Sequence, residues 1–348
     1  MKKILIAIFV LILFLLYYVF HIFYSSGFFR DIENAFDGTI EKQIQIFGPE
    51  DLQISYDDDF MLISSDDRAS RRDGIRKQGN LYYINLKDSS LKPKKLTSNL
   101  DIPFFPHGIF MIRTAHEVHK VLAINHVYGK HFIEVFELHK DSLAHVETLQ
   151  HKSMISPNDV VAVDENRFYF TNDHGYTQGL GKLAEEYLGW SVSNVVYFDG
   201  EEYREVAGGI AYANGINLDI ERNLIFVASP RDFQIKIYQR GEGGDLTFIE
   251  NIDCGTGVDN IEFAPDGKIW IGCHPSLLTF IAYASGSTPY SPSEVITIDY
   301  RKEGDYQKEI IFLDDGKNVS ASTVAGVYQD LIFVGNVMDD HLLVLRRK

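Results

Sequence analysis

With 348 residues, 45% of them hydrophobic, and a formal net charge of −16, the chain can bury one large β domain or two ordinary ones, and it lacks the positive surface that displaces counterions from nucleic-acid phosphates. The acidity fits solubility or the binding of divalent cations. Two cysteines make no disulfide scaffold, and the absence of a phosphate-binding glycine loop, an H-E-x-x-H helix or a G-x-S-x-G elbow argues against NTPase, zincin and serine-hydrolase chemistry.

Lys2 and Lys3 precede a run from Ile4 through Tyr24, about 20 apolar or aromatic residues, enough to cross a hydrocarbon core as a helix. The run is long and ends Tyr24-Ser25-Ser26-Gly27, without an Ala-x-Ala site, so residues 1–27 read as a retained signal-anchor transmembrane helix rather than a cleaved signal. Positive charge at the amino end holds that end in the cytosol and places the remainder at the cell surface, in the periplasm or in an endomembrane lumen. Asn318-Val319-Ser320 is a glycosylation sequon consistent with that side. Residues 28–45 read as a polar connector, briefly helical through Arg30 to Phe36, and residues 46–348 as the folded body.

Within the body one phase recurs. Asn158-Asp159 stand just ahead of an alternating run in which Val160, Ala162, Phe168 and Phe170 suggest two strands joined by the turn Asp164-Glu165-Asn166. Glu50-Asp51 precede Met61-Leu62-Ile63, Asn214 precedes Leu224-Ile225-Phe226, and Asp259-Asn260 precede Ile269-Trp270-Ile271 in the same way. Repeats starting near 50, 107, 158, 214, 259 and 322, at intervals of roughly 45 to 63 residues with several short strands each, predict an all-β fold, a six-bladed β-propeller. In such a ring, residues of one phase converge on the axis, which turns scattered Glu, Asn and Asp oxygens into one cage of the hard ligands that Ca²⁺ prefers. The fourth repeat is expected from Asn194 to Arg240 and the fifth from Phe248 to Tyr283.

Asp66 to Lys77 is a charged loop whose four arginines, if it lies at the channel mouth, can attract an anionic substrate; a solvated loop is the plainer alternative. His107 occupies the phase of Asn158, His126 follows the strand Val121 to Asn125, and Asp173 can orient His174 in Asn172-Asp173-His174. Residues 178–191 form a short helical insert, with Leu180, Leu183, Ala184, Tyr187 and Leu188 at helical spacing. Cys254 and Cys273 fall in adjacent repeats and either pair or stay as buried thiols.

From about Gly48 to the carboxyl end the chain resembles the serum paraoxonase/arylesterase family. The likeness is carried by Pro49-Glu50-Asp51-Leu52, Pro106-His107-Gly108-Ile109, Asn125-His126, Asn158-Asp159-Val160-Val161, Thr171-Asn172-Asp173-His174, Tyr212-Ala213-Asn214-Gly215, Val258-Asp259-Asn260-Ile261 and Gly272-Cys273-His274-Pro275, in order and at matching intervals. The resemblance implies a six-bladed propeller with two calcium ions in its channel and a retained apolar amino-terminal segment. It implies Glu50, Asn158, Asn214, Asp259 and Asn260 as ligands of a catalytic Ca²⁺, and Asp51, Asp159 and the Ile109 carbonyl as ligands of a deeper, structural one. His107 and His126 match the family's histidine dyad, and His274 a residue lining the substrate pocket. The family's ring-closing disulfide has no counterpart here, so closure is expected from strand pairing between the last and first blades. The loop Asp66 to Lys77 differs from the family's active-site flap, so substrate preference does not carry over.

The resulting expectation is a calcium-dependent carboxylic-ester hydrolase of the arylesterase or lactonase type. Ca²⁺ would polarise the carbonyl of a small lactone or ester, and the histidines would activate water. The alternative is a non-catalytic, membrane-anchored propeller that assists assembly or folding of a membrane-protein partner. A gluconolactonase-like or strictosidine-synthase-like propeller is a third reading, against which the paired Asp-Asn and His-Gly motifs speak.

Overall fold

The computed structural model describes residues 2–114 and 118–348. Its first element, α1 (Lys2–Ser25), is a 24-residue apolar helix with no buried residue, about 36 Å long at 1.5 Å per residue and thus a candidate membrane span. The segment expected as a polar connector does more than connect. After Gly27 and Arg30 it forms β1 (Ala35–Phe36) and β2 (Gly38–Gln45), with no helix through Arg30 to Phe36. The alternation of Ile40, Ile44 and Ile46 among polar residues is a strand signature that also fits an exposed linker.

Six antiparallel sheets follow in chain order. The first blade is β3 (Pro49–Ser55), β4 (Phe60–Ser65), β5 (Asn80–Asn85) and β6 (Lys94–Lys95), with a five-residue helix, α2 (Arg68–Arg72), inside the charged loop. The second is β7 (Pro106–Arg113), β8 (His119–Val127), β9 (Lys130–His139) and β10 (Ser142–Leu149). The third comprises β11 (Pro157–Ala162), β12 (Phe168–Asn172), the insert α3 (Gly179–Leu188), β13 (Ser193–Phe198) and β14 (Tyr203–Ile210). Asn194 therefore belongs to the third blade, not the fourth, because β13 pairs with β12 from Asn194 opposite Asn172 to Phe198 opposite Phe168. The fourth is β15 (Ile216–Asp219), β16 (Leu224–Ser229), β17 (Gln234–Arg240) and β18 (Leu246–Asp253). The fifth, β19 (Gly257–Phe263), β20 (Ile269–His274), β21 (Ser293–Lys302) and β22 (Asp305–Asp314), contains α4 (Leu277–Ala284) and continues past the expected end at Tyr283, with β1 added at its edge. The sixth is β23 (Ser322–Tyr328), β24 (Leu331–Asn336), β25 (His341–Arg347) and β2.

Ring closure is thus internal to one blade. The amino-terminal β2 pairs antiparallel with the carboxy-terminal β25, from Gly38 opposite Arg347 to Gln45 opposite His341, rather than the last blade pairing with the first. Between each neighbouring pair of blades lies its own apolar layer, such as Leu62, Ile109 and Val121 between the first and second and Ile44, Ile63 and Phe333 between the first and sixth. Cys254 and Cys273 are both free and buried in the layer between the fourth and fifth blades, where burial pushes the Cys254 thiol up to about 12. The exposed Leu180 and Leu183 lie on α3, while the side chains of residues 186–188, among them Tyr187 and Leu188, lie outside the described residues.

The end of α1 is docked rather than tethered. The amide of Leu277 donates to Ser26 O at 2.9 Å, and Arg30 forks onto Glu294 with both N–O distances at 2.6 Å.

Candidate active site on the propeller axis

The innermost strands β3, β7, β11, β15, β19 and β23 contact one another in a closed ring. In five of them the pairing with the second strand slips near the start: between Pro49 and Asp51, Pro106 and Ile109, Pro157 and Val160, Val258 and Ile261, and Ser322 and Ala325. A bulge suspends the in-out alternation of a strand, so two successive residues can lean the same way. This is the local reason that the site residues come as dipeptides: Glu50-Asp51, Asn158-Asp159 and Asp259-Asn260 are all buried. The backbones approach closely here. A Cβ on Gly108 would stand 2.4 Å from Asp159 Oδ1, so only glycine fits.

The ring is stitched by polar contacts between blades. Asp51 Oδ2 accepts from the Ile109 amide at 2.7 Å, Asp159 Oδ2 from the Ile216 amide at 2.8 Å, and Asn260 Nδ2 donates to Glu50 O at 3.1 Å. Thr323, which the sequence patterning did not single out, donates from Oγ1 to the same carbonyl at 2.5 Å. Yet Glu50 Oε2, Asn158 Oδ1, Asn214 Oδ1, Asp259 Oδ1 and Asn260 Oδ1 are buried without a hydrogen-bond partner. Buried acceptors are ordinarily satisfied; these five, on or just ahead of the innermost strands, are not. Among the described residues no group of three or more His, Cys, Asp or Glu is placed to hold a metal; the set mixes two carboxylates with three amide oxygens.

Electrostatics concentrate at the same point. Burial and the neighbouring Asp159 and Glu50 push the Asp51 carboxyl well above the usual range, and burial does the same to Asp159. Asp259 is also raised by burial, against a 2.9 Å hydrogen bond from His274 Nε2. Glu50 goes the other way: burial would raise it, but His107 and Arg68 outweigh that and hold it at about 2.

His107 and His126 are brought together, with ring centroids 5.1 Å apart and edge to face. His107 Nε2 lies 3.2 Å from Glu50 Oε1 and its Nδ1 accepts from Arg68 Nη2 at 2.9 Å. His126 makes its hydrogen bond to His131, Nδ1 to Nδ1 at 2.7 Å, and burial with the two flanking rings lowers its pKa well below the ordinary value. His131 had no signal in the sequence; it sits opposite His126 only because β8 and β9 pair in that register. His274 stacks on Phe280 of α4 at 4.2 Å. Asp173 Oδ1 holds His174 Nδ1 at 2.8 Å. A groove of about 400 Å³ opens beside α2, lined by Ala69, Arg72, Tyr283, Thr288 and Met338.

The sequence profile of the Arylesterase family matches residues 74–344. Human serum paraoxonase/arylesterase 1 is 33% identical over 262 residues, covering 74% of this chain and 73% of its own, and chicken serum paraoxonase/arylesterase 2 is 32% identical over 267 residues, covering 75% of each. Among solved structures, a luciferin-regenerating enzyme superposes with a TM-score of 0.57 at 10% identity over 89% of this chain and 94% of that one, a likeness of fold alone.

Proposed function

The chain belongs to the paraoxonase/arylesterase family of hydrolases, and from that premise we propose that it hydrolyses lactones and aryl esters in a calcium-dependent reaction on the propeller axis. The orphaned oxygens of Glu50, Asn158, Asn214, Asp259 and Asn260 carry this reading. Each buried, unpaired acceptor costs about 1–3 kcal/mol, and a hard cation removes that cost for all of them together. Asp51, Asp159 and the Ile109 carbonyl would hold a second ion, offsetting the burial that lifts both carboxyls and the charge of Asp159 that adds to it at Asp51.

When bound, Ca²⁺ supplies fixed positive charge that polarises the substrate carbonyl and stabilises its oxyanion. The residues supply the rest. A guanidinium can only donate, so Nδ1 of His107 is its acceptor face. Once Arg68 moves aside, that lone pair takes the proton of the attacking water. His126 packs edge to face against that ring and would hold its orientation. His274, fixed by Asp259 and Phe280, would line the substrate's side of the site. The apolar α1 would hold the amino end in the cytosol and the propeller on the extracytoplasmic side.

The test uses the full-length chain in detergent with phenyl acetate and a simple lactone. Excess chelator is expected to abolish turnover and added Ca²⁺ to restore it. His107→Gln is expected to lower kcat by roughly 10²- to 10⁴-fold while the melting temperature still rises with Ca²⁺. Full turnover in chelator sinks the reading.

A further inference from the structure

Most cations of the loop between Asp66 and Lys77 are neutralised where they stand. Arg71 meets Asp66 at 2.6 Å, Lys77 meets Asp67 at 2.6 Å and Arg72 meets Asp73 at 3.1 Å, while Arg76 lies over the Tyr128 ring. Arg68 differs. Its side chain is 12% exposed, its carboxylate neighbours Asp66 and Glu50 stand at 3.8 and 3.9 Å, and the hydrogen bond it makes goes to His107 Nδ1. A guanidinium carries five donors in a planar fork shaped for a carboxylate. The two carboxylates compensate the charge, but at 3.8 and 3.9 Å they leave most of the fork without a hydrogen bond, which an anionic ligand would supply.

We infer that Arg68 is a specificity residue that selects substrates carrying a carboxylate close to the scissile carbonyl. The inference rests on the hydrolytic reading above. Because Arg68 Nη2 stands 3.9 Å from Glu50 Oε2, one of the orphaned oxygens, the carboxylate and the reacting carbonyl must be separated by only a few bonds. The substrate class is a lactone bearing a carboxylate, or a half-ester of a short dicarboxylic acid. The net charge of −16 repels such an anion at long range, so selection arises at contact, by a bidentate charge-assisted pair. The same movement serves the reaction: a guanidinium drawn onto the substrate leaves His107 Nδ1 to the attacking water.

The experiment compares phenyl acetate with monophenyl succinate on the full-length chain in detergent with Ca²⁺, for the native protein, Arg68→Gln and Arg68→Lys, with calorimetric titration of succinate alongside. The kcat/KM ratio of charged to neutral ester is expected to exceed one in the native protein, to fall about tenfold to a hundredfold in Arg68→Gln, and to recover in part in Arg68→Lys. Succinate is expected to bind the native protein and to bind Arg68→Gln at least about tenfold more weakly. A ratio below one in the native protein, or one unchanged by Arg68→Gln, overturns the inference while leaving the hydrolase standing. If neither ester is turned over, the hydrolytic reading fails and the succinate titration decides for Arg68 by itself. Should Arg68→Gln not fold, the native ratio and its change in Arg68→Lys decide instead.

Discussion

At the scale of single residues, the axial oxygens were legible because one phase repeats along the sequence and the bulges at Asp51, Val160 and Ile261 make their signature a dipeptide. Arg68 was visible only as one of four loop arginines. Its contact with His107 depends on α2, a single turn capped by Asp67 that no periodicity announces. Asn172-Asp173-His174 was readable as a pair, and it carries a pH dependence. Burial opposes both charges, yet the mutual hydrogen bond leaves His174 raised and Asp173 lowered. A raised histidine contributes stability that is full below about 6.5 and is lost as pH climbs through the folded-state value. A lowered aspartate contributes above about 3.9 and loses that as pH falls through its depressed value. Stability from the pair therefore peaks between the two. In thermal melts from pH 5 to pH 8, His174→Gln is expected to remove about 1 kcal/mol, a shift of roughly 2–4 °C, at the acidic end and progressively less toward pH 8. An equal loss at every pH would assign His174 a packing role instead.

Among the elements, α1 follows from the length of its apolar run and α3 from its helical spacing, whereas α4 follows from neither. Its sequence, LLTFIAYA, is apolar nearly throughout and reads equally well as a buried strand. What makes it a helix is its place on the loop after His274, where Phe280 covers that imidazole. β2 was missed for the opposite reason. Its buried residues are too few to outweigh Thr39, Glu41, Lys42, Gln43 and Gln45, and only the register with β25 assigns it to the core. The register itself is testable. Ile44 is 4% exposed and Ile40 46%, so Ile44→Ala is expected to cost about 2–4 kcal/mol and Ile40→Ala less than about 0.5 kcal/mol in denaturant titrations. Equal costs would mean that the strand is held in another register.

For the whole molecule, six blades hold their own apolar layers, but the axis is polar, acidic and short of hydrogen-bond partners. If the axis holds calcium as proposed, its removal is expected to loosen the ring together with the site. An ion present at a hundredfold over its dissociation constant adds about 2.7 kcal/mol, so two ions give roughly 5 kcal/mol and a melting shift of about 10–20 °C. Chelation followed by calorimetry measures it, with recovery expected from Ca²⁺ and not from an equal concentration of Mg²⁺, which dehydrates reluctantly and rarely occupies all-protein cages. An unchanged transition would remove the ions from the axis. The closure of the sixth blade has a further consequence in time. Gln45 donates to Asp340, 295 residues away, so the strand that leaves the ribosome early waits for a partner that leaves 295 residues later. At about 5–20 residues per second, that edge stays open for roughly 15–60 seconds of synthesis. Throughout that interval the nascent blades cannot lock, and whatever shelters an unmated strand in the cell has its longest opportunity there.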